Sequence, residues 1–207
     1  MKKKQVYKSI LDIARAIAKQ KKGAMFVIAE ESKIKKYYEL LYPKLIEGYY
    51  TNEQGINKVL EKLATLDGAI IITPAGKLIA YGAKLKKSKT IHGFGTRHAT
   101  AAGITAAIKD STAIIVSEES NLIRVFKGGM LKLEMDSQKR SRSMDDKIIS
   151  FLSEGDNALL AAAGASAAIL GSAALLNPVV APVIIVGGSA YLALKAAGKI
   201  IKNKRRQ

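Results

Sequence analysis

Asp67-Gly68-Ala69-Ile70-Ile71-Ile72 at one end and Ala113-Ile114-Ile115-Val116-Ser117-Glu118-Glu119 at the other bracket the stretch that decides this chain's fold. Each apolar run is short and rich in β-branched residues, which suits a buried strand and not a helix. Each run also carries a polar cluster at one end, and strand ends are where α/β proteins place their ligands. Between them, Gly93-Phe94-Gly95-Thr96 is a flexible, hydroxyl-bearing turn that leads through Arg97 and His98 into an Ala-rich helical stretch, Ala99 to Ile108. A helix N-terminus with free amides beside an arginine suits phosphate.

Working outward, Val6, Ile10, Ile13, Ala14 and Ile17 recur at helical spacing. Lys8, Asp12, Arg15 and Lys19 take the other faces, so a surface helix with one buried stripe is expected. Gly23 reads as its C-cap, and Ala24 to Ala29 as a first central strand with Glu30 and Glu31 at a solvated end. Lys33 to Glu47 interleaves lysines with Tyr37, Tyr38 and Tyr42. That pattern can fit a single-stranded nucleic-acid platform, but the expected reading is a helix or loop that buries its aromatics and breaks at Pro43. Thr51-Asn52-Glu53 reads as a helix start ahead of Ile56, Val59, Leu60 and Leu63.

Downstream of Ile72, Thr73-Pro74-Ala75-Gly76 is a turn into a second strand, Lys77 to Gly82, followed by the basic loop containing Lys84, Lys86, Lys87 and Lys89. Asn121 to Phe126 and Met130 to Leu133 form a final hairpin about Gly128-Gly129. Strands and helices therefore alternate with hairpins attached. This predicts an α/β fold, a mixed central β-sheet flanked by helices.

The 207 residues carry a formal net charge of +17, which favours an anionic partner: a nucleotide, nucleic acid or an acidic membrane face. There is no cysteine, so disulfides, thiolate nucleophiles and Cys-based metal sites are excluded. No Gly-x-x-x-x-Gly-Lys-Ser/Thr loop occurs, which argues against a P-loop ATPase. Met1-Lys2-Lys3-Lys4 leads into an amphipathic stretch, unlike a signal peptide.

Composition shifts after Glu134. Residues 135–156 read as a charged linker or exposed helix start, and no charged side chain occurs between Asp156 and Lys195. Within that window Ala158 to Leu176 and Val179 to Ile201 are each long enough to cross a bilayer, broken apart at Asn177-Pro178. Basic residues flank both outer ends, which places the two termini and the polar body on the cytoplasmic side of a membrane. The competing expectation is a soluble helical hairpin packed through its small residues. The resulting division is an N-terminal amphipathic helix over 1–22, an α/β body over 23–134 that carries the polar clusters, the linker over 135–156, and a hydrophobic helical hairpin over 157–202.

The order Asp67-Gly68-Ala69, then Gly95-Thr96-Arg97-His98, then Val116-Ser117-Glu118-Glu119 resembles the catalytic domain of the diadenylate cyclases, the family that includes the DisA protein. The likeness runs from about Lys22 to Gly129. It implies condensation of two ATP into cyclic di-AMP with release of two pyrophosphates, between two copies whose catalytic domains meet face to face. It further implies phosphate and metal contacts at Ser117, Glu118 and Glu119. The family shows Arg-His-Arg after the threonine, whereas the third position here is Ala99.

Residue chemistry assigns roles compatible with that resemblance. A ribose 3′-hydroxyl must attack the α-phosphorus of the other nucleotide, a reaction served by positioning and electrostatics with divalent metal at the phosphates. Asp67, Arg97 and His98 are the candidate catalytic residues. Gly68, Ala69, Gly95, Thr96, Arg97, Ser117 and Glu118 are the candidate nucleotide-binding set. Asp67, His98 and Glu119 are the candidate ligands of Mg²⁺ or Mn²⁺. Two rival expectations are a nucleotide-binding protein (ATP or cyclic di-AMP) with weak or lost catalysis, and a nucleic-acid-binding protein. The latter is set aside because the charge is spread along the chain and gathered partly beside the hydrophobic segment.

Overall fold

The sheet forms because four segments dominated by Ile, Val and Ala have no polar face to offer solvent. In β1 (Ala24–Ile28), β3 (Ala69–Ile72) and β5 (Thr112–Val116) every residue is buried, and so are the first six of β4 (Leu78–Leu85). These strands are covered on both faces. The computed structural model describes residues 2–46, 48–91, 93–138 and 142–154, together with the backbone of β8 (Ile184–Val186). The remaining strands are β2 (Tyr38–Leu40), β6 (Leu122–Lys127) and β7 (Met130–Asp136), and the sheet order is β2-β4-β3-β1-β5-β6-β7-β8. Strand β1 runs parallel to β3 and antiparallel to β5. The starts of β1 and β3 therefore share one edge of the sheet with the end of β5, and so does the end of β4, which is antiparallel to β3.

Three helices cover one face. α1 (Lys3–Lys19) buries Val6, Tyr7, Ile10, Leu11, Ile13, Ala14, Ile17 and Ala18, the stripe that its spacing predicts. It packs with α3 (Ile56–Leu63) and α5 (Arg142–Glu154) over the inward side chains of β1, β3, β5, β6 and β7. Fully burying each large aliphatic here contributes about 1.5–3 kcal/mol, so truncating Ile10, with no exposed surface, removes a substantial share of the attachment. The opposite face carries the short α2 (Glu31–Ile34), a single 3-10 turn at Lys35–Tyr37, and α4 (Thr96–Ala107). Helix α4 buries Ala101 and Ala102 in the core on this face and sets Gly103 against the loop after β4, where an added methyl group would collide with the Ser88 backbone. Packed on β5 and β6, the helix has its N-terminus beside the end of β5.

Several expectations are corrected. The stretch read as a charged linker or exposed helix start is largely the helix α5, which is not exposed: Ile148, Phe151 and Leu152 are buried in the core. The charges at its N-terminal end mask an apolar stripe one turn later. Gly23 is not the C-cap of α1: that helix ends at Lys19 with Gln20 as its cap, and Lys21 takes the left-handed turn at φ 53°. Helix α3 begins at Ile56 behind Gly55 (φ 81°), later than Thr51-Asn52-Glu53 suggested. Other readings stand: Tyr37 and Tyr38 pack against one core and Tyr42 against the other, so the Lys/Tyr segment spends its aromatics on packing, as expected. Glu30 and Glu31 lie at the sheet edge away from the end of β5, with Glu31 3.3 Å from Lys77.

The hydrophobic hairpin expected over 157–202 falls outside the described residues except at Ile184–Val186. There the chain is a strand parallel to β7, with Leu133 opposite Ile184, and not part of a helix. Val183-Ile184-Ile185-Val186 between Pro182 and Gly187 has the β-branched, punctuated character of a strand. Among the described residues no helix is long and apolar enough to cross a membrane.

Candidate active site

Two elements build a cleft at the sheet edge shared by the starts of β1 and β3 and the end of β5. The N-terminus of α4 supplies Gly95, Thr96, Arg97 and His98, and the end of β5 with the following turn supplies Ile115, Val116, Ser117, Glu118 and Glu119. Together they enclose a cavity of about 420 Å³. Gly95 is the N-cap of α4 and brings no side-chain cap; its carbonyl accepts from the His98 (3.1 Å) and Ala99 (3.2 Å) amides, which leaves the Thr96 and Arg97 amides to solvent or an anion. Across the cleft Arg97 Nη1 faces Glu118 Oε2 at 3.9 Å, with both side chains about half exposed. A contact this long and wet adds little stability, so both groups remain available to a ligand. The turn after β5 is held by the Ser117 amide, which donates to the Leu122 carbonyl (2.9 Å), and by the Ser120 hydroxyl, which donates to Ser117 Oγ (2.8 Å).

Arg97 reaches the neighbouring strand. Its guanidinium lies over Gly23, just before β1, where a Cβ would overlap Nη1. The cleft thus extends along the edge from β5 to β1. The next strand is β3, and the Asp67-Gly68 pair that precedes it is exposed at the same edge, two strand spacings, roughly 10 Å, from β5. Asp67 does not line the cavity beside α4 but borders the same open surface. Gly68 has φ 93°, and a Cβ there would meet the carbonyl carbon of Gly82 at 2.6 Å. It is a glycine because β4 passes directly behind it, at the register shift between β3 and β4.

His98 is turned away from any metal-binding role through Nε2. That atom lies 3.1 Å from Arg124 Nη1, on β6, and the ring packs on Phe94 (centroids 4.8 Å apart) and Phe126 (6.1 Å). Burial, then the charges of Arg124 and Arg97, lower its pKa from 6.5 to about 4. Among the described residues no group of three or more His, Asp and Glu side chains is gathered closely enough to hold an ion unaided. The exposed carboxylates of Asp67, Glu118 and Glu119 are nevertheless hard oxygen donors on one edge. Such donors fit Mg²⁺ or Mn²⁺ completed by water and substrate phosphate. Ala69 is buried in β3, and Ala99 is absent from the cleft lining, its carbonyl accepting from the Lys89 amide at 2.8 Å. Sequence reasoning missed Arg124 and Gly23. Arg124 sits in an ordinary strand, and only its cross-strand position reveals it.

Comparison with known proteins decides the family. The DAC model, described as DisA bacterial checkpoint controller nucleotide-binding, matches residues 12–131, more than half of the chain. The chain belongs to this family. Among curated relatives, it is 32% identical over 122 residues to the diadenylate cyclase of Haloferax volcanii, a match covering 56% of this chain and 45% of that protein. It is 27% identical over 145 residues to the diadenylate cyclase of Methanocaldococcus jannaschii, covering 65% of this chain and 47% of that one. The matched region therefore spans less than half the length of either relative. Among solved structures, DacA from Staphylococcus aureus aligns with a TM-score of 0.53 at 24% identity, over 73% of this chain and 97% of that one. A hypothetical membrane spanning protein from Bacillus cereus aligns at 0.51 and 20% identity, over 60% and 61%. These two likenesses establish the shared fold of this DAC-family chain: a mixed sheet with helices on both faces.

Proposed function

We propose that the chain is a diadenylate cyclase that joins two ATP into cyclic di-AMP. The observation that carries this is the cleft where the α4 N-terminus and Arg97 face Ser117-Glu118-Glu119, with Asp67 on the same sheet edge, in a chain of this family. The Thr96 and Arg97 amides, the Thr96 hydroxyl and the Arg97 fork hold phosphate oxygens. Gly68 lets ribose or base approach the backbone. Asp67 lies nearest the 3′-hydroxyl and orients it for attack.

Each 3′-hydroxyl loses its proton as its oxygen bonds to the α-phosphorus of the other ATP, and the bond from that phosphorus to the β-phosphate oxygen breaks. Two such steps yield one ring and two pyrophosphates. Since each step needs the nucleotide of the other site, two copies meet face to face through the edge bearing the cleft. A bound Mg²⁺ or Mn²⁺, held by Asp67, Glu119 and phosphate oxygens, would neutralise charge developing on the pyrophosphate. His98 leaves the metal set that the motif alone suggested.

In this reading the catalytic body extends through β7. The apolar residues of 157–202 outside β8 attach it to a membrane face with the body on the cytoplasmic side, as the flanking basic residues favour. The test is incubation of the full chain with ATP and Mg²⁺ or Mn²⁺, followed by chromatography and mass spectrometry. Cyclic di-AMP with pyrophosphate in a 1:2 ratio is expected. ATP binding without product by a folded, self-associated chain would overturn the cyclase and leave a nucleotide-binding protein.

A further inference from the structure

Behind the cleft, three elements meet in a polar chain that the reaction as described does not use. On β6, Arg124 stands opposite Ile115 of β5 and Glu134 of β7 in the sheet register. Its side chain is 14% exposed and that of Glu134 21%, so the pair is largely shielded from water. Arg124 Nε donates to Glu134 Oε2 at 2.5 Å, and Arg124 Nη1 approaches His98 Nε2 at 3.1 Å. The guanidinium also lies 5.5 Å from the centre of the Phe94 ring, which stacks on the His98 imidazole. Arg124 is thus fixed from three sides, and an arginine so held has one geometry to offer.

An arginine carries only donors. The Arg124–His98 contact is a hydrogen bond only if Nε2 is the acceptor, and a neutral imidazole that accepts at Nε2 bears its single proton on Nδ1. Protonating Nε2 would set two N–H groups against each other within 3.1 Å. We propose that Arg124 is a positioning residue of this site. Clamped by Glu134, it locks His98 as the Nδ1–H tautomer, so that the imidazole lines the cleft as a neutral hydrogen-bond donor to a phosphate oxygen and not as a base or metal ligand. The inference rests on the cleft being a nucleotide site. Burial and the two nearby guanidinium groups, which hold the imidazole uncharged down to about pH 4, act in the same direction. This arrangement suits phosphoryl transfer, because a donor whose charge is constant over the working pH range stabilises anionic oxygens without taking up protons released at the 3′-hydroxyl.

The chain has two histidines, so the imidazole nitrogens of His98 can be resolved by ¹⁵N NMR of the full chain and assigned with His98→Gln. The expected wild-type spectrum shows a protonated Nδ1 and a bare Nε2. Arg124→Met keeps the apolar stem as far as the position of Nε and removes the guanidinium donors; the Nε2–H tautomer should then appear. Turnover should fall about 10–100-fold, by analogy with removal of the partner that orients a metal-bound imidazole, with KM for ATP changed less than about threefold. Arg124→Lys, which keeps one donor, should restore part of the Nδ1–H population and of kcat. An Nε2–H or doubly protonated His98 in the wild-type chain overturns the inference, and so does an unchanged tautomer in Arg124→Met. The wild-type spectrum decides even if Arg124→Met fails to fold. Because the tautomer is read without turnover, failure of the cyclase assay is a separate result.

Discussion

The guanidinium of Arg97 rests over the Cα of Gly23, so close that a Cβ at position 23 would overlap Nη1. The obstacle is the far end of a flexible side chain, and Gly23 is not among the glycines with positive φ. Gly23→Ala should therefore leave the fold within about 1 kcal/mol of wild type while pushing Arg97 out of its place beside the cleft. Thermal unfolding should barely move and cyclase activity should drop. A variant with full activity would show that the position of Arg97 over Gly23 is not the working one.

Gly68 makes the opposite case. Its φ is 93°, and the Gly82 carbonyl carbon would lie 2.6 Å from an added methyl group, so nothing flexible is there to yield. Gly68→Ala adds a strained φ, about 1–3 kcal/mol, to overpacking of about 1–3 kcal/mol. Denaturant unfolding should show a clear loss of stability, with β3 and β4 losing amide protection first.

Arg97 faces Glu118 at 3.9 Å across open solvent, so removing it leaves no buried charge behind. Arg97→Ala should cost little stability and weaken the handling of ATP. Loss of one charge-assisted hydrogen bond, about 1.5–3 kcal/mol, corresponds to roughly 10–150-fold in kcat/KM. Steady-state kinetics on ATP, with equilibrium unfolding as control, separates the two effects.

Asp67 is exposed and borders the cleft without lining its α4 side. Asp67→Asn should abolish turnover and leave ATP binding largely intact, checked by calorimetry beside product analysis. Retained turnover removes Asp67 from the mechanism.

His98 gives a pH prediction with a definite sign. Its pKa in the folded chain is lowered from 6.5 to about 4, so between these values the unfolded chain binds the extra proton. Stability contributed through this site therefore falls as pH drops from about 6.5 toward 4 and is constant above. In His98→Gln the slope of stability against pH across that window should flatten, measured by urea unfolding at successive pH values.

How much of this was legible follows from the range of the interactions. The strands at Ala69–Ile72 and Ala113–Val116, and the stripe on α1, are set by local patterns of branched and apolar residues, and were readable. Helix α5 was hidden because its charged first turns dominate the composition of the segment ahead of Ile148, Phe151 and Leu152. Strand β8 was hidden because Val183 to Val186 sits inside an apolar run of helical length. The motif residues at 67–69, 95–98 and 117–119 do gather on one edge, a consequence of β1 and β3 being parallel while β5 runs back. What each side chain does there was not readable. The tie of His98 to Arg124 joins residues 26 positions apart in sequence, and the space at Gly23 has meaning only once α4 is laid over the sheet.

Among the described residues the sheet ends on the β2 side in a strand of three residues, Tyr38–Leu40. A strand so short offers an incoming chain only a few unpaired backbone groups, and the exposed Glu39 on it stands near Lys84 and Lys86. Ribbon-like growth by strand addition is poorly templated at that border. Molecules crowded at high local concentration are thereby guarded against fibril formation through this side of the sheet.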